Sequence, residues 1–331
     1  MRLIKPSYYD KFRCLADSCP DSCCKEWGVQ VDAESAAYYR SLPGDLGDRL
    51  RQVLVEEDGE TVMVIENRRC PMWQDDGLCR IQCALGHDAL CKTCREFPRL
   101  THDYGDFIEL GLELSCPEAA RLILQSEHPS PTVTEVPGGE APEYDEEAMS
   151  VLLETRETAL TLLADEKYAP NEALALLLVY GHQAQTLLDG GETPDFVPET
   201  VLKQAKALAK PANIGDFLAF FTQLEILTPQ WRKLLESPVA PLPWSKEFRK
   251  LARYFVERYW LQAVADYDLV CRVKLIVISC IGIRNLGGDL PTTAQMYSKE
   301  IENDANNVDT LLDAAYVSPV LTDDKLLGFL L

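Results

Sequence analysis

Ten of the twelve cysteines of this chain lie between Cys14 and Cys116, and that crowding constrains the fold more than any other feature. It opens with Cys14-x4-Cys19-x3-Cys23-Cys24. It continues through Cys70, Cys79, Cys83, Cys91 and Cys94, and it closes at Cys116. The remainder of the chain holds only Cys271 and Cys280. Thiols at this density imply disulfides, zinc or an iron–sulfur cluster. Disulfides belong to oxidising compartments. The start of the chain, Met1-Arg2-Leu3-Ile4-Lys5-Pro6, has neither the apolar core nor the small-residue cleavage site of a secretory signal. The most apolar run, residues 275–283, is broken by Ser279 and flanked by Lys274 and Arg284. It falls short of the roughly 18 apolar residues that a membrane span needs. A cytoplasmic location without membrane attachment is expected, and there clustered cysteines bind metal more often than they pair.

Prolines and glycines concentrate at His128-Pro129-Ser130-Pro131 and from Pro137-Gly138-Gly139 to Pro142, which reads as a linker. The expected organisation is a cysteine-rich module over 1–128, a linker over 129–142 and an α-helical domain over 143–331. The net charge is −21 and both sides of the linker are acidic, so the basic footprint of a nucleic-acid binder is missing. In the first part, short strands are predicted over 27–31 and 61–65. Helices are predicted after the candidate N-cap Asp32, over 46–55 and over 78–89. A hairpin over 100–104 and 107–114 would turn at Gly105-Asp106, with Ile108, Leu110, Leu112 and Leu114 inward and Glu109 and Glu113 facing water. Pro117 suits a helix start. Beyond the linker, apolar residues recur at helical spacing, as in Phe248, Leu251, Ala252, Phe255 and Tyr259. Typical helix lengths of ~10–14 residues give roughly seven to nine helices there. The fold class is therefore mainly α: a small α+β cysteine-rich metal-binding N-terminal domain, then a C-terminal α-helical domain.

Structural zinc favours paired Cys-x2-Cys knuckles, and only Cys91-x2-Cys94 has that spacing. The looser spacings favour a [4Fe–4S] cluster, with Zn2+ as the alternative. The Cys-x3-Cys-x2-Cys of radical S-adenosylmethionine (SAM) enzymes is absent, since Glu26 stands where the third cysteine would fall. His87 and His102 lie near enough in sequence to ligate, although each reads more simply as an ordinary histidine. Cys271 and Cys280 read as core thiols.

The residues between the cysteines carry a resemblance. They run Trp27, Cys70-Pro71, Gly77-Leu78-Cys79-Arg80-Ile81, Thr93-Cys94-Arg95-Glu96-Phe97-Pro98-Arg99 and Ser115-Cys116-Pro117-Glu118-Ala119-Ala120-Arg121. Over residues 7–124 this order resembles the flagellin lysine-N-methylase (FliB) family, within a wider CxxCxxCC group of cysteine-rich zinc- or iron-chelating proteins. The resemblance implies eight metal-ligating cysteines: Cys14, Cys19, Cys23, Cys24, Cys70, Cys79, Cys94 and Cys116. Cys83 and Cys91 stand outside the family order. It also implies methyl transfer from SAM to lysine amines of a flagellin-like protein.

Such chemistry needs a neutral acceptor amine. At cytosolic pH that costs roughly 4 kcal/mol for an unperturbed lysine, so desolvation or a nearby base must help. Tyr8, Tyr9, Tyr104, Glu109 and Glu118 are candidates near the cysteine module. Each also has a plain structural reading. Arg95, Arg99 and Arg121 could hold the SAM carboxylate as forked donors. The glycine pairs Gly138-Gly139, Gly190-Gly191 and Gly287-Gly288 do not follow a strand in a βαβ pattern, which excludes a doubly wound methyltransferase. Two other function classes fit the same residues. One is a non-enzymatic zinc or iron–sulfur scaffold whose helical domain binds a protein partner, and the other is a redox or iron-handling module.

Overall fold

The structure is a computed structural model. It describes every residue except Asp58, Ser126, His128, Pro129, Ser130, Glu140 and Pro142. Pro129, Ser130, Glu140 and Pro142 of the expected linker therefore lie outside the described residues. The fold is mainly α with a smaller β part. Among the described residues, fifteen α-helices accompany seven strands: β1 (Arg2–Lys5), β2 (Val29–Gln30), β3 (Leu54–Glu57), β4 (Glu60–Met63), β5 (Arg99–Asp103), β6 (Phe107–Leu112) and β7 (Thr132–Glu135).

Local chemistry explains much of the first part. The Asp32 carboxylate accepts from the Ser35 N–H and caps the helix Ala33–Ser41. A second Asp32 oxygen takes the Lys92 N–H at 2.8 Å, tying that cap to the short helix Lys92–Glu96 that carries Cys94. The helix expected over 46–55 runs Gly44–Val53, and its last predicted residues turn into β3. The helix expected over 78–89 is only Arg80–Leu85. Gly86, at φ +89°, ends it, and His87–Ala89 forms a 3-10 turn. Gly77 also sits at positive φ, and a Cβ there would come within 3.1 Å of the Asp17 backbone, so this close approach of two cysteine-bearing loops needs glycine.

The strands form two sheets. One has the order β2-β4-β3. The other has the order β5-β6-β1-β7, with β1 parallel to β6 and antiparallel to β7. The hairpin forms about Gly105 as expected, but its faces differ from the expected alternation. Phe107 and Glu113 are buried, while Ile108 and Leu110 are only half-buried. The face expected to meet water is covered instead: Arg156 of the helical domain donates to Glu109, and the Ser115 hydroxyl, two residues on, donates to the buried Glu113.

After residue 143 the described chain is helical throughout. It contains ten α-helices rather than seven to nine, because several are only eight residues long. The helix Val270–Leu286 is buried on nearly every side, Cys271 and Cys280 included, as expected for a helix at the centre of a core. Among the described residues no helix is long and apolar enough to cross a membrane.

Two hydrophobic cores result. The larger joins the helical domain to Tyr8, Phe12, Phe107, Leu112, Leu114 and Cys116, so much of the larger sheet packs as part of the helical body. The smaller is built from Val29, Val31, Tyr39, Leu50, Met63, Met72, Ile81 and Leu90 with Cys70 and Cys91. The space between the two cores is where the cysteines gather.

Candidate functional site

A cavity of about 330 Å3 lies between the cores. Phe12 and Cys116 reach it from the larger core, and Val29, Tyr39, Met63, Met72, Ile81 and Leu90 from the smaller. Nine cysteines line it: Cys14, Cys19, Cys23, Cys24, Cys70, Cys79, Cys91, Cys94 and Cys116. All eight cysteines of the family order are among them. Cys91, which stands outside that order, is the ninth, and it is buried. Cys83 is exposed and does not line the cavity. None of the twelve cysteines is in a disulfide.

The thiols perturb one another. Contacts with Cys23 and Cys70 hold the Cys24 thiol well below its usual range, and the same contacts push Cys23 and Cys70 up. Cys94 lowers Cys91 and is itself raised by the contact. Burial raises Cys19 and Cys79 and lifts Cys116 to about 11. In kind, the donor set suits a thiolate-held centre, since soft sulfur ligands select zinc and iron–sulfur clusters. Among the described residues, however, no three Cys, His, Asp or Glu side chains meet closely enough to hold one ion.

The other predicted residues divide between the cavity and elsewhere. Arg95, Arg99, Glu118 and His87 line it. The Arg99 guanidinium lies 5.2 Å from the centre of the Phe12 ring. The Glu118 carboxylate accepts two hydrogen bonds from Arg121, at 2.7 and 2.6 Å, and Arg121 itself lies outside the cavity. Tyr8, Tyr9, Tyr104, Glu109 and His102 do not line it either. Tyr8 is buried in the larger core, where burial and then Glu257 push its phenol up. Tyr104 stacks on Phe107 at 4.8 Å, and Glu109 is engaged by Arg156. The structure thus gathers the cysteines, two of the arginines and Glu118, which Arg121 already engages, but leaves Tyr8, Tyr9, Tyr104 and Glu109 apart from them.

The helical domain closes one wall, and sequence reasoning missed its residues. Lys299 lines the cysteine cavity although only 3% of it is exposed. It donates to Asp21 and to Glu26, at 2.9 Å each, and lies 5.0 Å from the centre of the Trp27 ring. Gln295 donates to Asp21 at 3.0 Å and to the Ser115 carbonyl at 2.8 Å. Lys299 belongs to a π-helical turn, Ser298–Glu302, a rare geometry that recurs at functional sites. That turn sends its charged side chains three ways: Lys299 to the cysteine module, Glu300 to the Leu227 N–H and the Thr228 hydroxyl, and Glu302 to Arg258 and Tyr259. No local pattern announces Lys299, whose partners lie more than 270 residues away.

Comparison with known proteins adds a lineage to this geometry. No family model matches the chain, and no solved structure matches it. It is similar to a lysine-N-methylase of Salmonella typhimurium, 32% identical over 129 residues, which is 37% of this chain and 32% of that protein. A lysine-N-methylase of Salmonella choleraesuis matches with the same identity and coverage. The match spans about a third of the length of these two relatives. The flagellar biosynthetic protein FliU of Salmonella muenchen is also 32% identical over 129 residues, and there the match covers 76% of the relative. At that identity and coverage, the chain belongs to the family of FliU.

Proposed function

We propose that the protein is a SAM-dependent lysine N-methyltransferase acting on flagellin or a similar protein in the cytoplasm, and that its cysteine cavity holds a [4Fe–4S] cluster, with zinc as the alternative. The observation that carries this reading is the convergence of nine cysteines from separate segments on one cavity, in a relative of proteins named lysine-N-methylase. The eight cysteines of the family order and Cys91 would supply the ligands, with thiols to spare for a four-ligand centre. Cys116 of the larger core and Cys70 and Cys91 of the smaller would be among the thiolates that hold such a centre, which would add metal–thiolate bonds between the segments that carry them. Arg95 and Arg99 would offer forked donors to the carboxylate of the methyl donor. The protein substrate would meet an acidic surface, and long-range attraction for a cationic lysine-bearing segment follows from it.

The test uses the full chain, reconstituted anaerobically with iron and sulfide and incubated with methyl-labelled SAM and flagellin. Label on flagellin lysines, with about four irons and matching sulfide per chain, supports the reading. A folded, metal-loaded protein that neither binds SAM nor labels flagellin sinks it. Arg95→Met and Arg99→Met should each weaken SAM binding roughly tenfold, as loss of a charge-assisted hydrogen bond does.

A further inference from the structure

We propose that a second cavity, adjoining the cysteine cavity, is where the acceptor lysine enters; this rests on the methyltransferase reading above. The cavity measures about 420 Å3. Its rim is exposed at Pro20, Gln230 and Thr292, and its floor is the buried pair Gln295 and Lys299. Asp21, Pro117 and Lys299 line both cavities, so the floor of one is the wall of the other. A side chain reaching down from the surface would therefore arrive beside the cysteine cavity without displacing either core.

The lining suits a lysine. Pro20, Pro117, Pro291 and Met296 give stiff apolar walls for a run of methylenes. At the floor an ammonium is already recognised, for Lys299 sits between two carboxylates against the Trp27 face. Two unusual backbone features converge on that contact. Glu26 lies in the left-handed region at φ +78°, and Lys299 belongs to the π-turn. Lys299 also supplies a fixed positive charge. An incoming lysine placed beside it is disfavoured in its charged form, which promotes the neutral amine that methylation requires.

The step balances as follows. The entering ammonium releases a proton to water through the rim, since Asp21 and Glu26 are already engaged by Lys299. The neutral Nζ then attacks the methyl carbon of the SAM sulfonium. The N–C bond forms, the C–S bond breaks, and its electron pair stays on sulfur to leave S-adenosylhomocysteine. The methylated product is an ammonium.

Three variants of the metal-loaded full chain test this: Met296→Trp, Lys299→Met and Lys299→Arg. The probes are a fluorescein-labelled flagellin peptide containing one lysine, SAM by calorimetry, and label transfer across pH. If the wild type labels no lysine, the methyltransferase reading falls and this assignment falls with it. If the wild type is active, Met296→Trp should lose roughly tenfold or more in peptide affinity and in kcat/KM while SAM affinity is unchanged. Wild-type peptide affinity and kcat/KM in that variant overturn the entry site. Lys299→Met should move the acidic limb of the pH–rate profile upward by about one unit, and Lys299→Arg should restore it. A profile that stays in place in a folded Lys299→Met protein overturns the role of the lysine charge. Should that variant not fold, Met296→Trp still decides the entry site, and Lys299→Arg should keep the wild-type pH–rate profile; an acidic limb displaced in a folded Lys299→Arg protein, whose charge is retained, overturns the role of the lysine charge.

Discussion

Glu109 and Arg156 offer a sharp test of what holds the larger core to the sheet. Arg156, on the helix Glu146–Ala164, donates from both terminal nitrogens to the two Glu109 oxygens on β6, at 2.8 and 2.6 Å. The side chains are only 9% and 12% exposed. Replacing one partner of such a pair strands the other charge away from water, which costs about 3–5 kcal/mol. Arg156→Met should therefore destabilise by about 3 kcal/mol, and less only if water reaches the stranded carboxylate. Glu109→Gln keeps an acceptor oxygen and should cost about 2 kcal/mol, the size of a charge-assisted hydrogen bond. The double variant Arg156→Met/Glu109→Leu removes both charges and should lie within about 1 kcal/mol of wild type. Urea unfolding followed by tryptophan fluorescence measures all three. Trp260, one of five tryptophans, donates to the Thr155 hydroxyl at 3.2 Å, next to Arg156, so part of the signal arises beside the substituted pair. A double variant no more stable than Arg156→Met refutes the pairing argument. The same variants decide a functional question, because Glu109 was a candidate base and lines neither cavity. Glu109→Gln should keep its methyl-transfer rate per folded, metal-loaded molecule, and a large loss there without loss of stability would return Glu109 to the chemistry.

Three further outcomes follow from the same geometry. Cys91→Ser should lower bound metal as Cys94→Ser does, while Cys83→Ser should leave iron and sulfide near wild type; equal metal content in all three would show that the cavity lining does not report ligation. Asp32, which accepts from the Lys92 and Ser35 N–H groups, has its carboxyl held down at about 2. Its cap should therefore contribute about 1 kcal/mol above pH 4 and lose it as pH falls toward 2, so circular dichroism titration of Asp32→Ala should lack that acid-limb loss. A Cβ on Gly181 would meet Val273 atoms at 2.7–2.9 Å where the helices Pro170–Leu188 and Val270–Leu286 pack, so Gly181→Ala should cost about 1–3 kcal/mol in thermal or urea unfolding without changing metal content.

How much of this was legible beforehand depended on how local each cause is. The Asp32 cap, the turn at Gly105 and the helix start at Pro117 are decided by residues within a few positions of one another, and they formed where the sequence pattern places them. Strand β7 was invisible because it exists only through pairing with β1. All four of its residues are exposed, so no alternation marks it, and the surrounding prolines and glycines suggest a linker. The alternation of the strand points Glu109 and Glu113 to water because nothing in their own strand announces Arg156 or the buried Ser115 hydroxyl. Family order leaves Cys91 out of the ligand set. The structure puts it under the Gln30 carbonyl, beside Cys94 and away from solvent.

The same contrast bears on what kind of object the cysteine region is. A zinc-finger-like module carries its whole site within one short segment and can fold around its metal alone. Here the cavity takes Phe12 and Cys116 from the larger core and Lys299 from a helix some 180 residues beyond Cys116. β6, which pairs with β1, buries Phe107 and Leu112 in the core of the helical domain, and Ile4 of β1 packs against the same core. The ion pairs from Lys299 to Asp21 and Glu26 and the hydrogen bonds from Gln295 to Asp21 and the Ser115 carbonyl all cross the seam between the two parts. Any change at the thiols that moves the loop bearing Asp21 and Glu26 must move the π-turn too, since a buried ammonium cannot be left without its carboxylates. The helical domain is thus the second half of the site, and a reaction at the cysteines would be coupled through Lys299 to the cavity that opens beside it.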